Sequence, residues 1–338
     1  MENNKTMVPF RRTHTCGELS VKNLDQQVTL SGWVHRARDL GGLLFIDLRD
    51  RYGITQVVLD STHNKELYAQ GQKLRAEFVI TIKGAVSKRR DANPKLATGE
   101  IEVLAAELFV LSQAEVPPFT VADDMTEANE ELRLKYRYLD MRKGQILNNL
   151  VIRHKAMMAT RQFMDSQGFV EVITPILGKS TPEGARDYLV PSRVHPGEFF
   201  ALPQSPQMFK QILMIGGLDR YFQIATCFRD EDLRADRQPE FAQIDVEMSF
   251  ATQEELFPII ERLVQSVFKE CKNVAIEAPF VRMTYEECMQ QYGCDKPDLR
   301  FGMSLKTLDD VAKASSFTVF HDVLAQEGTV KGFTIKGG

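Results

Sequence analysis

The chain has 338 residues, 43% of them hydrophobic and 26% charged, with a formal net charge of −4 at pH 7. That is enough chain for two or three domains of ordinary soluble composition, with no long apolar run of the kind that crosses a membrane. Residues 1–115 carry +2 (16 Lys+Arg against 14 Asp+Glu) and the rest −6 (26 against 32), so the front permits RNA contact without establishing it.

Met1–Arg12 is polar and lacks the apolar core of a secretory signal, which points to the cytoplasm. The front then reads as short strands with one helix. Gln27–Arg38 alternates apolar and polar positions. A Gly41-Gly42 turn, Leu43–Leu48, a turn around Tyr52-Gly53, and Ile54–Leu59 follow. Asn64–Glu77 has helical composition, and Phe78–Ser87 and Gly99–Leu111 read as two more strands. The order β-β-β-α-β-β is that of an OB-fold barrel, assigned to residues 1–115, although other small barrels share five short strands.

Pro117-Pro118 ends this domain, because consecutive prolines cannot continue a ladder. Residues 116–146 form a hinge, in which the charged stretch Thr120–Arg142 is partly helical. From Leu147 a helix is expected, with Leu147, Leu150, Val151, Met157, Met158 and Met164 on one face. Gln167-Gly168 ends it, and a strand Phe169–Ile173 is halted by Pro175. Pro203–Ile215 is a loop entering a helix, Tyr221–Phe228 and Phe241–Phe250 are strands, and Glu254–Cys271 is an amphipathic helix with Pro258 in its first turn.

Five cysteines, 16, 227, 271, 288 and 294, form no C-x-x-C pair, so neither a disulfide framework nor a zinc site is suggested. The two strands after residue 220 are more informative. Gln243, Asp245 and Glu247 share one face of the return strand, and Ala242, Ile244, Val246 and Met248 the other. Gln223, Ala225, Cys227 and Arg229 share a face of the outgoing strand. Such an acidic face is either solvated or the floor of a site. The connection Asp230–Glu240 adds Arg234 and Arg237, whose guanidinium forks suit phosphate oxygens.

Four stretches carry a wider resemblance: Thr181–Val190 (TPEGARDYLV), Leu202–Lys210 (LPQSPQMFK), Cys227–Glu247 (CFRDEDLRADRQPEFAQIDVE) and Tyr292–Arg300 (YGCDKPDLR). With them the whole chain resembles the class II aminoacyl-tRNA synthetases, and within these the bacterial aspartyl-tRNA synthetases. The resemblance implies a fold of an OB-fold barrel plus an α+β class II catalytic domain, an antiparallel sheet flanked by helices, over 147–300. It implies a homodimer built on Leu147–Pro175, with the Leu/Met stripe part core and part interface.

The same resemblance implies roles for single residues. Arg229 would hold the ATP α-phosphate together with the substrate carboxylate, with Asp230, Glu231 at the adenine end, and Gln238 as further ATP contacts. Glu183 and Ser205 would fix the amino group of L-aspartate, with Gln207, Gln243 and Asp245 nearby, and Lys210 would pair with its side-chain carboxylate. In the barrel, Phe45 would stack on an unpaired anticodon base of tRNA(Asp), with Arg38, Gln56 and Glu100 on base edges. Phe45 could equally be barrel core, given Leu44 and Ile46 beside it.

The implied reaction has two steps. The aspartate carboxylate attacks the α-phosphorus of ATP, releasing pyrophosphate, and a terminal ribose hydroxyl of the tRNA then attacks the aspartyl-adenylate carbonyl. Catalysis would be positioning and charge neutralisation by Arg229 and Mg²⁺ brought with ATP, without a metal site in this chain. The family's third motif, with a second ATP-clamping arginine, lies beyond the residues present. Residues 301–338 read as the start of a bacterial inserted domain and are expected to fold poorly without its remainder. The 338-residue chain is therefore expected not to aminoacylate by itself. An asparagine- or lysine-specific relative, or an RNA-binding fragment without catalysis, are the alternatives.

Overall fold

The structure is a computed structural model that describes residues 11–121, 128–234, 237–335 and 337. Most of the polar N-terminal stretch and part of the hinge, residues 1–10 and 122–127, lie outside the described residues. The chain divides into two compact units, Met1–Ala156 and Met157–Gly338.

In the first unit, β1 (Gln27–Asp39), β2 (Leu43–Arg49), β3 (Ile54–Asp60), β4 (Val79–Lys88) and β5 (Ile101–Ser112) close a barrel in the order β1-β2-β3-β5-β4. Strict alternation drives it: Val28, Leu30, Val34, Leu44, Ile46, Leu48, Ile80 and Ile82 all turn inward and are buried. The barrel closes where β3 meets β5 in parallel, Val57 beside Val103. At Gly84, where the β4–β5 register shifts, a Cβ would lie 2.1 Å from the Leu104 carbonyl oxygen, so only glycine fits.

Helix α1 spans Lys65–Gly71, capped by the Asn64 side chain, and is half the length expected. A Cβ at Gly71 would come within 2.6 Å of Leu44 and Leu59, and the chain turns away from the helix there. Six residues later Glu77 takes a left-handed φ of 68°. That turn buries its carboxylate against Arg49 (2.8 and 2.9 Å) and Arg142 (2.6 Å). Arg142 also lies over the Trp33 ring at 4.9 Å. The hinge is thus fastened to the barrel by a buried carboxylate shared between two guanidinium groups. Within the hinge, α2 (Glu130–Lys135) and α3 (Arg137–Asp140) form around fully buried Asp140, which accepts from Arg133 and Arg137.

Helix α4 (Gly144–Ser166) runs across the division between the units. Its Leu/Met stripe is not uniformly buried: Met164 is enclosed, while Leu150 and Met158 are exposed. Gly168 ends the helix at φ 77° as expected. The next strand, β6 (Val170–Glu171), is two residues long and lies parallel to β9 (Arg220–Phe228). A small pair, β7 (Leu189–Pro191) and β8 (Phe199–Ala201), precedes α5 (Gln207–Ile215).

Strands β9 (Arg220–Phe228) and β10 (Glu240–Met248) are antiparallel, with Asp245 opposite Gln223 and Glu247 opposite Tyr221. One end of their apolar face packs on a core of Met164, Phe169, Phe222, Ile259 and Leu263. The rest of that face is less covered than alternation suggests, since Ile244 is 46% exposed. Helix α6 spans Gln253–Lys272. Glu255 accepts from the Thr252 backbone N–H, which sets the helix start early enough to put Pro258 in the second turn, not the first.

Beyond α7 (Tyr285–Tyr292), residues 306–332 fold as β11 (Lys306–Thr307), α8 (Asp309–Ala314), α9 (Thr318–Ala325) and β12 (Lys331–Gly332), with β11 and β12 paired. Asp309 ties the unit by accepting from Thr329 and from the Val330 backbone. Val311, Phe317 and Val319 stay exposed, and Ala312 is the buried apolar residue in α8. No helix among the described residues is long and apolar enough to cross a membrane.

Candidate functional site: the face of β9 and β10

The acidic face of the hairpin is a buried floor. Asp245 is 4% exposed, Gln223 8% and Tyr221 0%. Lys210, projecting from α5, reaches this floor and donates to Asp245 Oδ1 at 2.9 Å, with Glu247 Oε2 at 3.3 Å. Burial works against the ammonium, but the hydrogen bonds and charges of Asp245 and Glu247 outweigh it and hold the Lys210 pKa above its usual value. Gln243 donates to the same Asp245 oxygen at 3.0 Å. The other oxygen, Oδ2, is buried and accepts no hydrogen bond.

The T-P-E-G segment lies against the start of α5. Ser205 donates to Glu183 at 2.7 Å, and Thr181 donates to the second Glu183 oxygen at 3.0 Å. Gln207 opens α5 and is half-buried. Gln204, 1% exposed, holds the loop: it accepts from the Ala185 N–H at 3.1 Å, donates to the Ala185 carbonyl at 2.9 Å, and donates to Asp187. Gln204 was not singled out from sequence; its place inside the L-P-Q-S-P-Q stretch was the available signal.

Cys227 sits among these groups. Burial and the Asp245 carboxylate push its thiol up to about 11, and Arg229, Glu183 and Lys210 also act on it electrostatically. Arg229 lies over the Phe241 ring at 5.2 Å, and its backbone N–H donates to the Pro239 carbonyl at 2.9 Å. Arg229, Glu231, Arg237, Gln238 and Phe241 line a cavity of about 490 Å³. Asp230 and Glu231, with Arg186, Arg234 and Arg237, line a second of about 480 Å³. Asp230 donates its backbone N–H to the Arg186 carbonyl at 3.0 Å. Four arginines across the two cavities, with Leu233 and Phe241 as an apolar wall of the first, suit a polyphosphate carrying a planar base. Residues 235 and 236 of the connecting loop lie outside the described residues.

No group of three His, Cys, Asp or Glu side chains among the described residues could hold a metal.

The barrel carries its own cavity, about 570 Å³, lined by Arg38, Phe45, Gln56, Arg89, Glu102 and Leu104 among others. Phe45 alternates with the buried Leu44 and Ile46, so it faces outward and is half-buried. Arg38 donates to Asp47 at 3.1 Å. Gln56 is 5% exposed, donating to Glu102 at 2.7 Å and accepting from Arg89 at 2.8 Å. Glu100 does not line this cavity. It precedes β5, and Glu102, two residues on, is the glutamate in the lining.

Residues 129–327 match the family model described as tRNA synthetases class II (D, K and N), and 28–111 match the OB-fold nucleic acid binding domain. The chain is 59% identical over 337 residues to the aspartate–tRNA(Asp/Asn) ligase of Protochlamydia amoebophila (strain UWE25), covering 99% of this chain and 56% of the relative. It is 62% identical over 329 residues to the protein of the same name from Chlamydia abortus (strain DSM 27085 / S26/3), covering 97% and 56%. The chain thus spans a little over half the length of these relatives. Among solved structures, asparaginyl-tRNA synthetase from Pyrococcus horikoshii complexed with asparaginyl-adenylate shares the fold, with a TM-score of 0.69 at 24% identity, covering 79% of this chain and 59% of that one. Aspartyl tRNA synthetase from Entamoeba histolytica gives 0.67 at 24%, covering 80% and 61%.

Proposed function

The chain belongs to the class II tRNA synthetases of the aspartate, lysine and asparagine group, and from that premise we propose that it serves an aspartate–tRNA ligase, carrying the amino-acid floor, one side of the ATP site and the anticodon-reading barrel. The observation that carries the choice of aspartate is the buried Lys210 ammonium on the floor. A cation there repels a lysine substrate and gives an asparagine amide no charge partner, whereas a second carboxylate pairs with it. Two of its three donors face Asp245 and Glu247, which leaves one for the substrate. Glu183 and Ser205 carry oxygens suited to the substrate ammonium.

Aspartate activation then needs its α-carboxylate held against the α-phosphate. Arg229 neutralises both partners, so attack on phosphorus and release of pyrophosphate proceed by positioning, without a protein nucleophile. Glu231 and Gln238 contact the nucleotide, and Phe241 gives it an apolar wall. In the barrel, Phe45 stacks on an anticodon base while Arg38, Arg89 and Glu102 read edges. Exposed Leu150, Met158 and Ile173 support a homodimer through the α4–Pro175 segment. The protein works in the cytoplasm, where tRNA is charged.

The relatives' names, which join tRNA(Asp) and tRNA(Asn), favour a second reading in which both tRNAs are bound. Anticodon stem-loops of the two tRNAs, titrated against the chain, test both readings. Binding of tRNA(Asp) but not tRNA(Asn) removes the second, and binding of neither removes the anticodon role. Competition among aspartate, asparagine and lysine for the floor tests the ligase assignment, and preference for lysine or asparagine overturns it.

A further inference from the structure

On the anticodon reading, the outer face of β1 and β2 meets RNA, a polyanion, yet it carries a carboxylate among its reading groups. Asp47 stands on β2 two residues along from Phe45, so both side chains leave the strand on the same side. Phe45 lies directly opposite Arg38 in the β1–β2 register. Arg38 and Phe45 line the barrel cavity of about 570 Å³, and Asp47 does not. What Asp47 does meet is Arg38: one guanidinium nitrogen, Nη2, donates to both of its carboxylate oxygens, at 3.1 and 3.3 Å.

The two partners differ in exposure. The Arg38 side chain is 49% exposed and the Asp47 side chain 15%. Arginine is long and rich in rotamers, and a half-exposed one loses that freedom when it grips a base. The shorter, more enclosed carboxylate removes part of the freedom beforehand. It engages Nη2 alone, so the Nε and Nη1 donors remain for a base. As a stabilising contact the pair is worth little, because an ion pair this exposed is screened by solvent. Without Arg38 beside it, Asp47 only repels phosphate.

We propose that Asp47 is a positioning residue for anticodon recognition: its carboxylate holds the Arg38 guanidinium across from Phe45, so that a base stacked on the ring meets a donor already in place. The proposal rests on the anticodon reading of this cavity and deepens it. Asp47 acts through Arg38 and touches no base.

The test is a cycle of Asp47→Ala, Arg38→Met and the double variant in the 338-residue chain. Each is titrated with the anticodon stem-loop of tRNA(Asp) and with three versions of it, each with one anticodon base replaced. Asp47→Ala is expected to weaken binding of the unaltered stem-loop about tenfold, the scale of one arginine–base contact, with an unchanged melting temperature. In the Arg38→Met background the same substitution leaves binding unchanged or strengthens it, because there the carboxylate only repels RNA. The loss in Asp47→Ala also vanishes for the one stem-loop that lacks the base read by Arg38. A solvated charge with no positioning role gives the opposite sign: Asp47→Ala then binds every stem-loop more tightly in both backgrounds. A merely structural role gives equal losses in both backgrounds and on all four stem-loops, with a lowered melting temperature. Either result overturns the proposal. The anticodon reading fails separately. A wild type that binds the four stem-loops alike, or none of them, removes that reading. A wild type that prefers the unaltered stem-loop, with Asp47→Ala keeping both affinity and preference, removes the role of Asp47 alone.

Discussion

Lys210 Nζ lies 2.9 Å from Asp245 Oδ1, and both residues are more than nine-tenths buried. Glu247 approaches the same ammonium at 3.3 Å. Removing the cation leaves two facing carboxylates, one of them deeply buried. Lys210→Met is therefore expected to cost about 3–5 kcal/mol in urea denaturation. Asp245→Asn in that background recovers part of the loss by removing one stranded charge. The folded Lys210 pKa is raised, so its stabilisation is present below the unfolded lysine pKa. It is lost as pH rises through the folded value, and denaturation midpoints across the alkaline range follow it.

Trp33 is the one tryptophan in the chain, and Arg142 stacks over it while bonding Glu77. Arg142→Met is expected to lower stability by about 1–3 kcal/mol, since buried Glu77 keeps only Arg49. It also changes the Trp33 emission spectrum before global unfolding. An unaltered spectrum contradicts this fastening of the hinge.

Phe45→Ala is expected to weaken binding of the anticodon stem-loop by about 1–3 kcal/mol, the value of one base–aromatic stack. Glu102→Gln weakens it as well and Glu100→Gln leaves it unchanged, because Glu102 lines the cavity with Phe45. Filter binding on the three variants separates these outcomes.

The five thiols differ in exposure: Cys294 is exposed, whereas Cys16 and Cys227 are fully buried. Burial and Asp245 raise the Cys227 pKa from 9.0 to about 11. The folded chain keeps this proton over a window in which the unfolded chain loses it, so the site's contribution to stability falls as pH rises from 9.0 to about 11. Iodoacetamide at pH 8.5 is expected to label Cys294 and spare Cys227, as mass spectrometry of the digest reports; early labelling of Cys227 contradicts its burial.

Period-two alternation marks β1 and both strands of the floor, because one face of each lies in a core. β3 is buried at every position from Thr55 to Leu59 and is marked instead by the Tyr52-Gly53 turn before it. Helix lengths were less legible. The α1 stop depends on Leu44 and Leu59 crowding Gly71, contacts distant in sequence. Pro258 was placed by composition, whereas the Thr252–Glu255 cap decides its turn. The sequence pairs Glu183 with Ser205 and Lys210 with Asp245 in one site only through the family resemblance, since 22 and 35 residues separate them. Alternation puts Glu100 and Glu102 on the same side of Ile101 and does not choose between them; what separates them is the cavity lining, which holds Glu102.

Titration of L-aspartate and, separately, L-asparagine into the wild-type chain and into Lys210→Met tests the central claim most directly. The account predicts saturable binding of aspartate, at least about tenfold weaker binding of asparagine, and loss of that preference in Lys210→Met. Equal affinity for the two amino acids in the wild type, or an aspartate preference that survives the loss of Lys210, contradicts it.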